Sequence, residues 1–493
     1  MKHKESFNAT LAIGFILILA AWVTFRMWEL PEIFKFANTI HIIVILGCFG
    51  IISWNILKLD YRNKYMDRMT GINNDAWIVR QGAILYYRNK LNGYDAIFLN
   101  VKDCKYINQK VNNQNGDIVL AEYANRLKAF LKKKGYIGRM GGDNFLVYIK
   151  DEYLDEMLKF INGQIISVTF EGRQETLIVS CRAGICKIHD MDPKKDGSFG
   201  YRNVINRASI ALSEAKEGFL DMYVYEDVML DSLMKDTETL QRARMGLLND
   251  EFFPYYQPKV DAISGRLCGA EGLVRWNKDG EIVMPGAFIP LLEHSGEITD
   301  LDYKLFEKVC ADIKKWKDAG MDPVKVSTNF SKIHLSESDF AERIIDIKNR
   351  YGIEGKYVEV ELTESTEGKD LVALREFSKK MKKENISIAI DDFGTGYSSL
   401  SLVKNFDADV IKLDKSFIDS AKKEDTLSRN FVKDIICMIE NLGEKTLCEG
   451  VEDKEQLDFL VDAGCNIIQG YYFDKPLPKE EFEKRLKSPI YKV

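Results

Sequence analysis

The 493-residue chain has no CxxC pair and no HExxH, and its nine cysteines and five histidines are scattered without zinc-ligand spacing. This excludes a thiolate- or histidine-built metal centre and a CxxC redox motif. Cysteines so dispersed read as small core residues in a reducing compartment. Positive charge is not in excess either. A net charge of −6 argues against a general nucleic-acid surface, since such surfaces concentrate lysine and arginine, and no nucleic-acid polymer is expected as a partner. Apolar residues are not scarce. At 46% apolar and 29% charged, the chain has the balance of a globular protein. Its length suits two or three domains, each with its own core.

Two apolar runs stand near the start. Leu11 to Phe25 reads LAIGFILILAAWVTF, and Ile40 to Leu57 follows with Trp54 near its end. Each is close to the length that spans a bilayer as a helix. The joining segment holds Pro31, which suits a tight turn between antiparallel helices. Lys2 and Lys4 precede the first run, and Lys58, Arg62, Lys64 and Arg68 follow the second. Between the runs, Arg26 and Lys35 are offset by Glu29 and Glu32. The positive-inside rule puts both ends in the cytoplasm. The expected protein is a multi-pass component of the cytoplasmic membrane, with both large domains on the cytoplasmic side. A cleaved signal peptide and a pair of core helices are the alternatives. The second run following at once, with tryptophan and basic residues at its flank, favours the membrane. The outer loop is too small to fold as a sensor domain.

The stretch from about Asp67 to Asp227 reads as α/β. DAIFLNV, NFLVYI and TLIVSCRAGI are strand-like, and VLAEYANRLKAFLKKK and RASIALSEAKEG carry helical periodicity. Gly141-Gly142-Asp143, between IGRM and NFLVYI, predicts a tight hairpin turn. With MDRMTGINN, FLNVKDCKYINQ, Gly116-Asp117, GRMGGDNF and SEAKEG, the stretch resembles the GGDEF domain of diguanylate cyclases. The resemblance implies a mixed sheet flanked by helices. The family holds metal with an acidic residue ending its first core strand and with the signature glutamate. Here those positions are Asn100 and Asn144, and neutral amides remove the charge Mg²⁺ needs. Phe219 replaces a family arginine, and KKKG stands where the family's RxxD product-inhibition site would lie. Cyclase activity is therefore expected to be absent. Asn108 and Asp117 match guanine-contacting positions and Lys216 a phosphate-contacting one. The resemblance thus leaves GTP as an allosteric ligand, against a purely structural or dimerising domain.

From about Lys235 onward short strands alternate with amphipathic helices. The strands are FPYYQPKV, CGAEGLVRW, VKVSTNF, YVEVELTE, ISIAIDDF, DVIKLDKSF, KTLCEG and NIIQGYYF. Alternation of this kind predicts a parallel (β/α)₈ barrel. Glu271, Asn329, Glu361, Asp391-Asp392, Lys412, Glu449 and Gln469 each end an apolar run, roughly 20 to 60 residues apart, the spacing of one or two strand–helix units. Hard oxygen ligands gathered from strand ends suit Mg²⁺ or Mn²⁺. The lysine among them suggests an anionic substrate. In ISIAIDD, Ile386, Ile388 and Ile390 share the face expected under helices, and Ser387, Ala389 and Asp391 the inward one. In VEVEL, Glu359, Glu361 and Thr363 are expected to point inward. The Phe-Gly-Thr-Gly after Asp392 is expected to turn the chain so that both aspartates reach one site.

These residues lie in QPKV, AEGLVRW, TNFS, ELTES, DDFGTGYSSL, KLDKSF, CEGVE and QGYYF, which resemble the EAL family of cyclic di-GMP phosphodiesterases over the C-terminal half. Gly272 stands in place of the alanine of the name-giving motif, and Cys448 replaces a small residue. The resemblance implies hydrolysis of the bacterial second messenger cyclic di-GMP to linear pGpG by a two-metal mechanism, with inhibition by Ca²⁺. Two Mg²⁺ or Mn²⁺ ions would be held by Glu271, Asn329, Glu361, Asp391, Asp392 and Glu449. Lys412, Glu449, Gln469 and Asp392 would be catalytic, and Gln257, Leu273 and Arg275 would bind substrate. Glu364, with Glu452, would anchor the loop Phe393 to Leu400, at a homodimer interface that can regulate metal occupancy. Glu364 as a helix cap is the plainer alternative. A non-catalytic receptor or adaptor for cyclic di-GMP is the alternative function. The expected organisation is a membrane anchor over 1–64, a degenerate GGDEF domain over 65–228, a linker over 229–236 and an EAL domain over 237–493.

Overall fold

A computed structural model describes Trp22 and residues 32–188, 200–363, 369–394, 408–421 and 425–492. The chain divides into two compact units, Met1–Ser232 and Leu233–Val493. A helix, Asp227–Leu248, runs through the division and covers 229–236.

In the first unit a long helix, Glu32–Tyr65, includes the stretch Ile43–Tyr65, long and apolar enough to cross a membrane, with none of it buried. The earlier run, Leu11 to Phe25, lies outside the described residues apart from Trp22. The unit's strands are β1 (Tyr94–Val101), β2 (Gly135–Gly141), β3 (Asn144–Lys150), β4 (Gln164–Phe170), β5 (Arg173–Val179), β6 (Cys181–Lys187) and β7 (Met222–Val224). The main sheet has the order β2-β3-β1-β6-β7, antiparallel except for the parallel pair β6–β7. It is the mixed sheet expected. Gly141 and Gly142, at φ +112° and +54°, make the turn between β2 and β3, a backbone that residues with a side chain seldom adopt. Helices cover both faces of β1. Ile97, Leu99 and Val101 pack with residues of the helix Cys104–Phe130, and Ala96 packs with Ile78, Val204 and Ala208 on the other side. The run TLIVSCRAGI, expected as one strand, is divided. It breaks at Ser180, so that β5 pairs with β4 in a separate hairpin while β6 joins the main sheet.

The second unit contains β8 (Phe252–Asp261), β9 (Leu267–Lys278), β10 (Glu281–Val283), β11 (Lys325–Phe330), β12 (Val358–Thr363), β13 (Ser387–Phe393), β14 (Val410–Leu413), β15 (Lys445–Cys448) and β16 (Ile467–Ile468). All but β10 close an eight-stranded barrel, in the order β9-β11-β12-β13-β14-β15-β16-β8, with β8 pairing back onto β9. The expectation of a barrel parallel throughout is corrected at one strand. β8 runs antiparallel to both neighbours. The cause is local: β8 and β9 are joined by a short turn, in which Asp261 accepts hydrogen bonds from the Ser264 N–H and hydroxyl, and a link that short can only make a hairpin.

The alternation along the strands sorts side chains between helix layer and barrel interior. Val358, Val360, Leu362, Ile386, Ile388 and Ile390 lie in the core beneath the helices. Ala389, Val410 and Leu447 form a small separate cluster on the opposite, inward face. The residues that follow them in alternation point to the rim.

Candidate active site

Four strand ends deliver carboxylates to one buried amine. Glu271 on β9, Glu361 on β12 and Asp391 on β13 each bring an oxygen within 4.8 Å of the other two. Neighbouring registers explain the convergence. Glu271 pairs with Ser327, Asn329 with Glu361, and Thr363 with Asp391, so adjacent inward positions rise together around the barrel. Lys412 on β14 stands among them, 1% exposed. Its Nζ lies 2.7 Å from Glu361 Oε2, 3.0 Å from Asp391 Oδ1, 3.6 Å from Glu271 Oε2 and 2.7 Å from Glu449 Oε1.

Two amides complete the ring. Asn329 Nδ2 donates to Glu271 Oε1 at 2.7 Å. Gln469 Nε2 donates to Glu271 Oε2 at 2.6 Å and to Gln257 Oε1 at 3.2 Å. Gln469 Oε1 is buried with no hydrogen-bond donor among the described residues. Gly470 lets this segment seat: a Cβ there would meet the Val451 carbonyl oxygen at 2.1 Å, a collision no side chain tolerates. Gln257, Glu271, Leu273, Asp391, Glu449, Glu452 and Gln469 line a cavity of about 360 Å³ together with Lys415 and Tyr471.

The charges are unequal in their comfort. Burial pushes Glu271 and Asp391 up, and neighbouring carboxylates add to this against the pull of Lys412. Burial also lifts Glu449, which is pushed up to about 8 despite Lys412 beside it. Glu361 goes the other way. Burial alone would raise it, but two flanking lysines, Lys259 and Lys412, hold it down to about 2. Burial would lower Lys412, but the surrounding carboxylates hold it well above its ordinary value.

Other expected residues lie outside the buried ring. Asp392 is exposed, at φ +55°, where the register of β13 with β14 shifts, and its N–H donates to Asp391 Oδ1 at 2.9 Å. Burial raises its carboxyl, against the pull of Lys412 and with nearby acids adding to the rise. Arg275 is 5% exposed, donates to its neighbour's carbonyl, Val274 O, at 2.8 Å and lies over the Tyr255 ring. Among the described residues it does not line the cavity. Glu452 pairs with Lys415 at 2.6 Å. Glu364 and residues 395–400 lie outside the described residues.

The sequence reading passed over Lys259. Its Nζ reaches across the barrel floor to Ser327 Oγ at 2.7 Å, Glu359 Oε1 at 3.0 Å and Glu361 Oε1 at 2.7 Å. The signal was present: Lys259 stands two residues after Gln257 on one strand, and therefore on the same face.

In the first unit, Asn108 and Asp117 line a cavity of about 280 Å³ with Cys104, Gly116, Arg139 and Asp143. Asn100 and Asn144 face each other across β1 and β3, Asn100 Nδ2 donating to Asn144 Oδ1 at 3.0 Å. Lys216 is exposed in the last turn of the helix Tyr201–Glu217 and, among the described residues, does not line this cavity.

Comparison with known proteins places families on both units. Residues 64–219 match the diguanylate cyclase GGDEF domain, and residues 237–476 match the EAL domain. The chain is 31% identical to the signaling protein YkoW of Bacillus subtilis, over 86% of this chain and 53% of that protein. It is 28% identical to the bifunctional diguanylate cyclase/cyclic di-GMP phosphodiesterase MucR of Pseudomonas aeruginosa, over 79% of this chain and 56% of the relative. The chain thus spans about half the length of the curated relatives it matches. A solved structure of the MucR phosphodiesterase in complex with c-di-GMP covers 50% of this chain and 99% of its own, at 31% identity and a TM-score of 0.47. The chain belongs to the proteins that carry a GGDEF domain and an EAL domain in tandem.

Proposed function

We propose that the second unit hydrolyses cyclic di-GMP to linear pGpG. The observation that carries the reading is the convergence of Glu271, Glu361, Asp391 and Glu449 on the Lys412 amine at the barrel rim. Closely spaced carboxylate oxygens, with the unsatisfied Gln469 Oε1 beside them, fit a hard divalent cation. Glu271, Asn329, Glu361, Asp391, Asp392 and Glu449 would hold two Mg²⁺ or Mn²⁺ ions. Such ions supply positive charge to a phosphodiester and make water a better nucleophile at neutral pH.

The side chains divide the remaining work. Lys412 keeps a positive charge beside the phosphate and orients the attacking water. Glu449, beside Lys412 at the rim, is placed to take a proton from that water. Gln469, its amide N–H₂ held by Glu271 and Gln257, presents Oε1 to the water. Gln257 and Leu273 form the wall along which the dinucleotide lies. Arg275 takes a phosphate oxygen by turning from Tyr255, a task its planar fork suits. Asp392 and Glu452, on the rim beside the loop that Glu364 would anchor, adjust metal occupancy when a homodimer forms.

For the first unit we propose regulation without cyclase chemistry. The hydrogen bond between Asn100 and Asn144 supports this, since neither position offers a carboxylate. The cavity lined by Asn108 and Asp117 supports GTP as an allosteric ligand, with Lys216 reaching its phosphates. The exposed apolar helix Ile43–Tyr65 supports a membrane anchor, with both units in the cytoplasm.

One set of incubations tests this. The purified chain with cyclic di-GMP and Mg²⁺ or Mn²⁺ is expected to yield pGpG, and Ca²⁺ to inhibit. With GTP alone, no cyclic dinucleotide is expected. Binding without cleavage would replace the enzyme by a receptor, and cyclic di-GMP formed from GTP would overturn the reading of the first unit.

A further inference from the structure

A lysine has three N–H donors and no acceptor. At Lys259 all three are committed, to Ser327 Oγ, Glu359 Oε1 and Glu361 Oε1. The three buried partners come from two adjacent strands, β11 and β12, while Lys259 comes from β8 across the barrel. Its side chain is 5% exposed, Glu359 is 4% and Glu361 is 0%. Taking such charges out of water costs several kcal/mol per ion, and only full pairing with good geometry offsets it. A fully committed, buried amine has no donor left for substrate.

The consequence falls on Glu361. One of its oxygens, Oε1, goes to Lys259 beneath; the other, Oε2, goes to Lys412 in the site, 2.7 Å in each case. Two lysines at opposite ends of a carboxylate fix its plane. Glu359, the second carboxylate on Lys259, has Lys325 at 3.8 Å on its other oxygen. The floor is therefore a continuous row of alternating charge running up to the rim.

Resting on the phosphodiesterase reading, we infer that Lys259 is a positioning residue: it clamps Glu361 Oε1 so that Oε2 faces the site, whichever cation stands there. Were a divalent cation held beside Lys412 by these carboxylates, the clamp beneath would be unchanged and Glu361 would not need to reorient. A ligand that is already aimed binds its cation more tightly, because no side-chain freedom remains to be lost.

The test uses the purified full chain and Mn²⁺ alone, followed by the loss of the free-Mn²⁺ electron paramagnetic resonance signal. Lys259→Met keeps the length and removes the charge. It is expected to bind Mn²⁺ at least about tenfold more weakly. Its hydrolysis of cyclic di-GMP is expected to need correspondingly more Mn²⁺ and to recover when Mn²⁺ is raised, with KM for the dinucleotide unchanged within about twofold. Lys325→Met, which loses a donor to Ser387 Oγ and meets Glu359 only at its outer oxygen, is the control and keeps wild-type Mn²⁺ affinity. If folded Lys259→Met matches wild type in Mn²⁺ affinity, the positioning role is overturned and the phosphodiesterase reading stands. If the wild-type chain neither holds Mn²⁺ nor cleaves, both fall. Should Lys259→Met fail to fold, Lys259→Gln, which retains a donor, decides between the same results.

Discussion

Each unit brings oxygen-bearing side chains together at strand ends, and the two settle the result differently. In the first, Asn100 and Asn144 meet as a donor and an acceptor. The pair is neutral, and the Asn144 amide N–H turns to the Gly141 carbonyl at 3.4 Å. In the second, Glu271, Glu361, Asp391 and Glu449 meet as like charges around Lys412, with Lys259 behind Glu361. That cluster is incomplete in itself, which is why burial and mutual repulsion lift three of its acids. A neutral amide pair offers no negative charge with which to draw a cation. A site that leaves negative charge unbalanced in a buried place has a standing demand for one.

The sharpest way to break this contrast is to remove the amine. Lys412→Met is expected to lower the rate of cyclic di-GMP hydrolysis by about 10²–10⁴-fold. It is also expected to destabilise the cation-free protein by about 3–5 kcal/mol, as an uncompensated buried charge does, with Mn²⁺ restoring part of that. Denaturant melts with and without Mn²⁺, beside a turnover assay, measure both. A variant that turns over at half the wild-type rate would remove the distinction between the units.

The opposite change converts the amide pair into acids. Asn100→Asp combined with Asn144→Glu exchanges a hydrogen bond for two facing carboxylates. A loss of about 1–3 kcal/mol is expected in chelator, reduced by millimolar Mg²⁺, as read by chemical denaturation. If Mg²⁺ leaves the double variant unaffected, the neutrality of the pair is not what keeps cations out.

A smaller effect separates the acid limbs of the two units. Asp67 is partly exposed. Burial would raise its carboxyl, but the Thr70 N–H and hydroxyl and the Arg139 guanidinium hold it below its usual 3.8. A carboxyl lowered on folding contributes stability that is complete above 3.8 and lost as pH falls through its folded value. Asp67→Asn is therefore expected to cost of order 0.5 kcal/mol near neutral pH and progressively less as pH falls below 3.8, followed as melting temperature against pH. A variant whose deficit persists in acid would point to lost packing instead.

The smallest effect concerns Gly272. A Cβ there would meet a Val309 methyl at 3.1 Å and the Ser327 carbonyl oxygen at 3.3 Å, so its outward face has nearly room for alanine. Gly272→Ala is expected to change stability by less than about 0.5 kcal/mol and to leave turnover unaltered.

The eight barrel strands were legible because each carries an apolar face with a polar residue at its end. That alternation also sorted Ile386, Ile388 and Ile390 to the helix side and Glu359 and Glu361 inward. What alternation does not record is strand direction: β8 scans like its neighbours and is reversed, and only the short turn around Asp261 and Ser264 carries that information. Lys259 was passed over for a related reason. A lysine on a strand ordinarily reads as solvent-facing, and its partners lie on strands remote in sequence. The break at Ser180 was hidden because TLIVSCRAGI is apolar on both sides of it. Arg275 carries a motif position but not a direction, and the Tyr255 ring that receives it is invisible in its own segment.

The reversal of β8 changes where the polypeptide comes in. In a barrel whose first strand ran with the others, the chain would enter at the end remote from the carboxylate cluster. Here Phe252, the first residue of β8, is paired with Trp276 near the end of β9. The incoming backbone therefore arrives on the level of the carboxylate cluster, and Gln257 and then Lys259 follow on its way down. The helix Asp227–Leu248 therefore leads into the barrel at its carboxylate-bearing mouth, with only a few residues between the point of entry and Gln257.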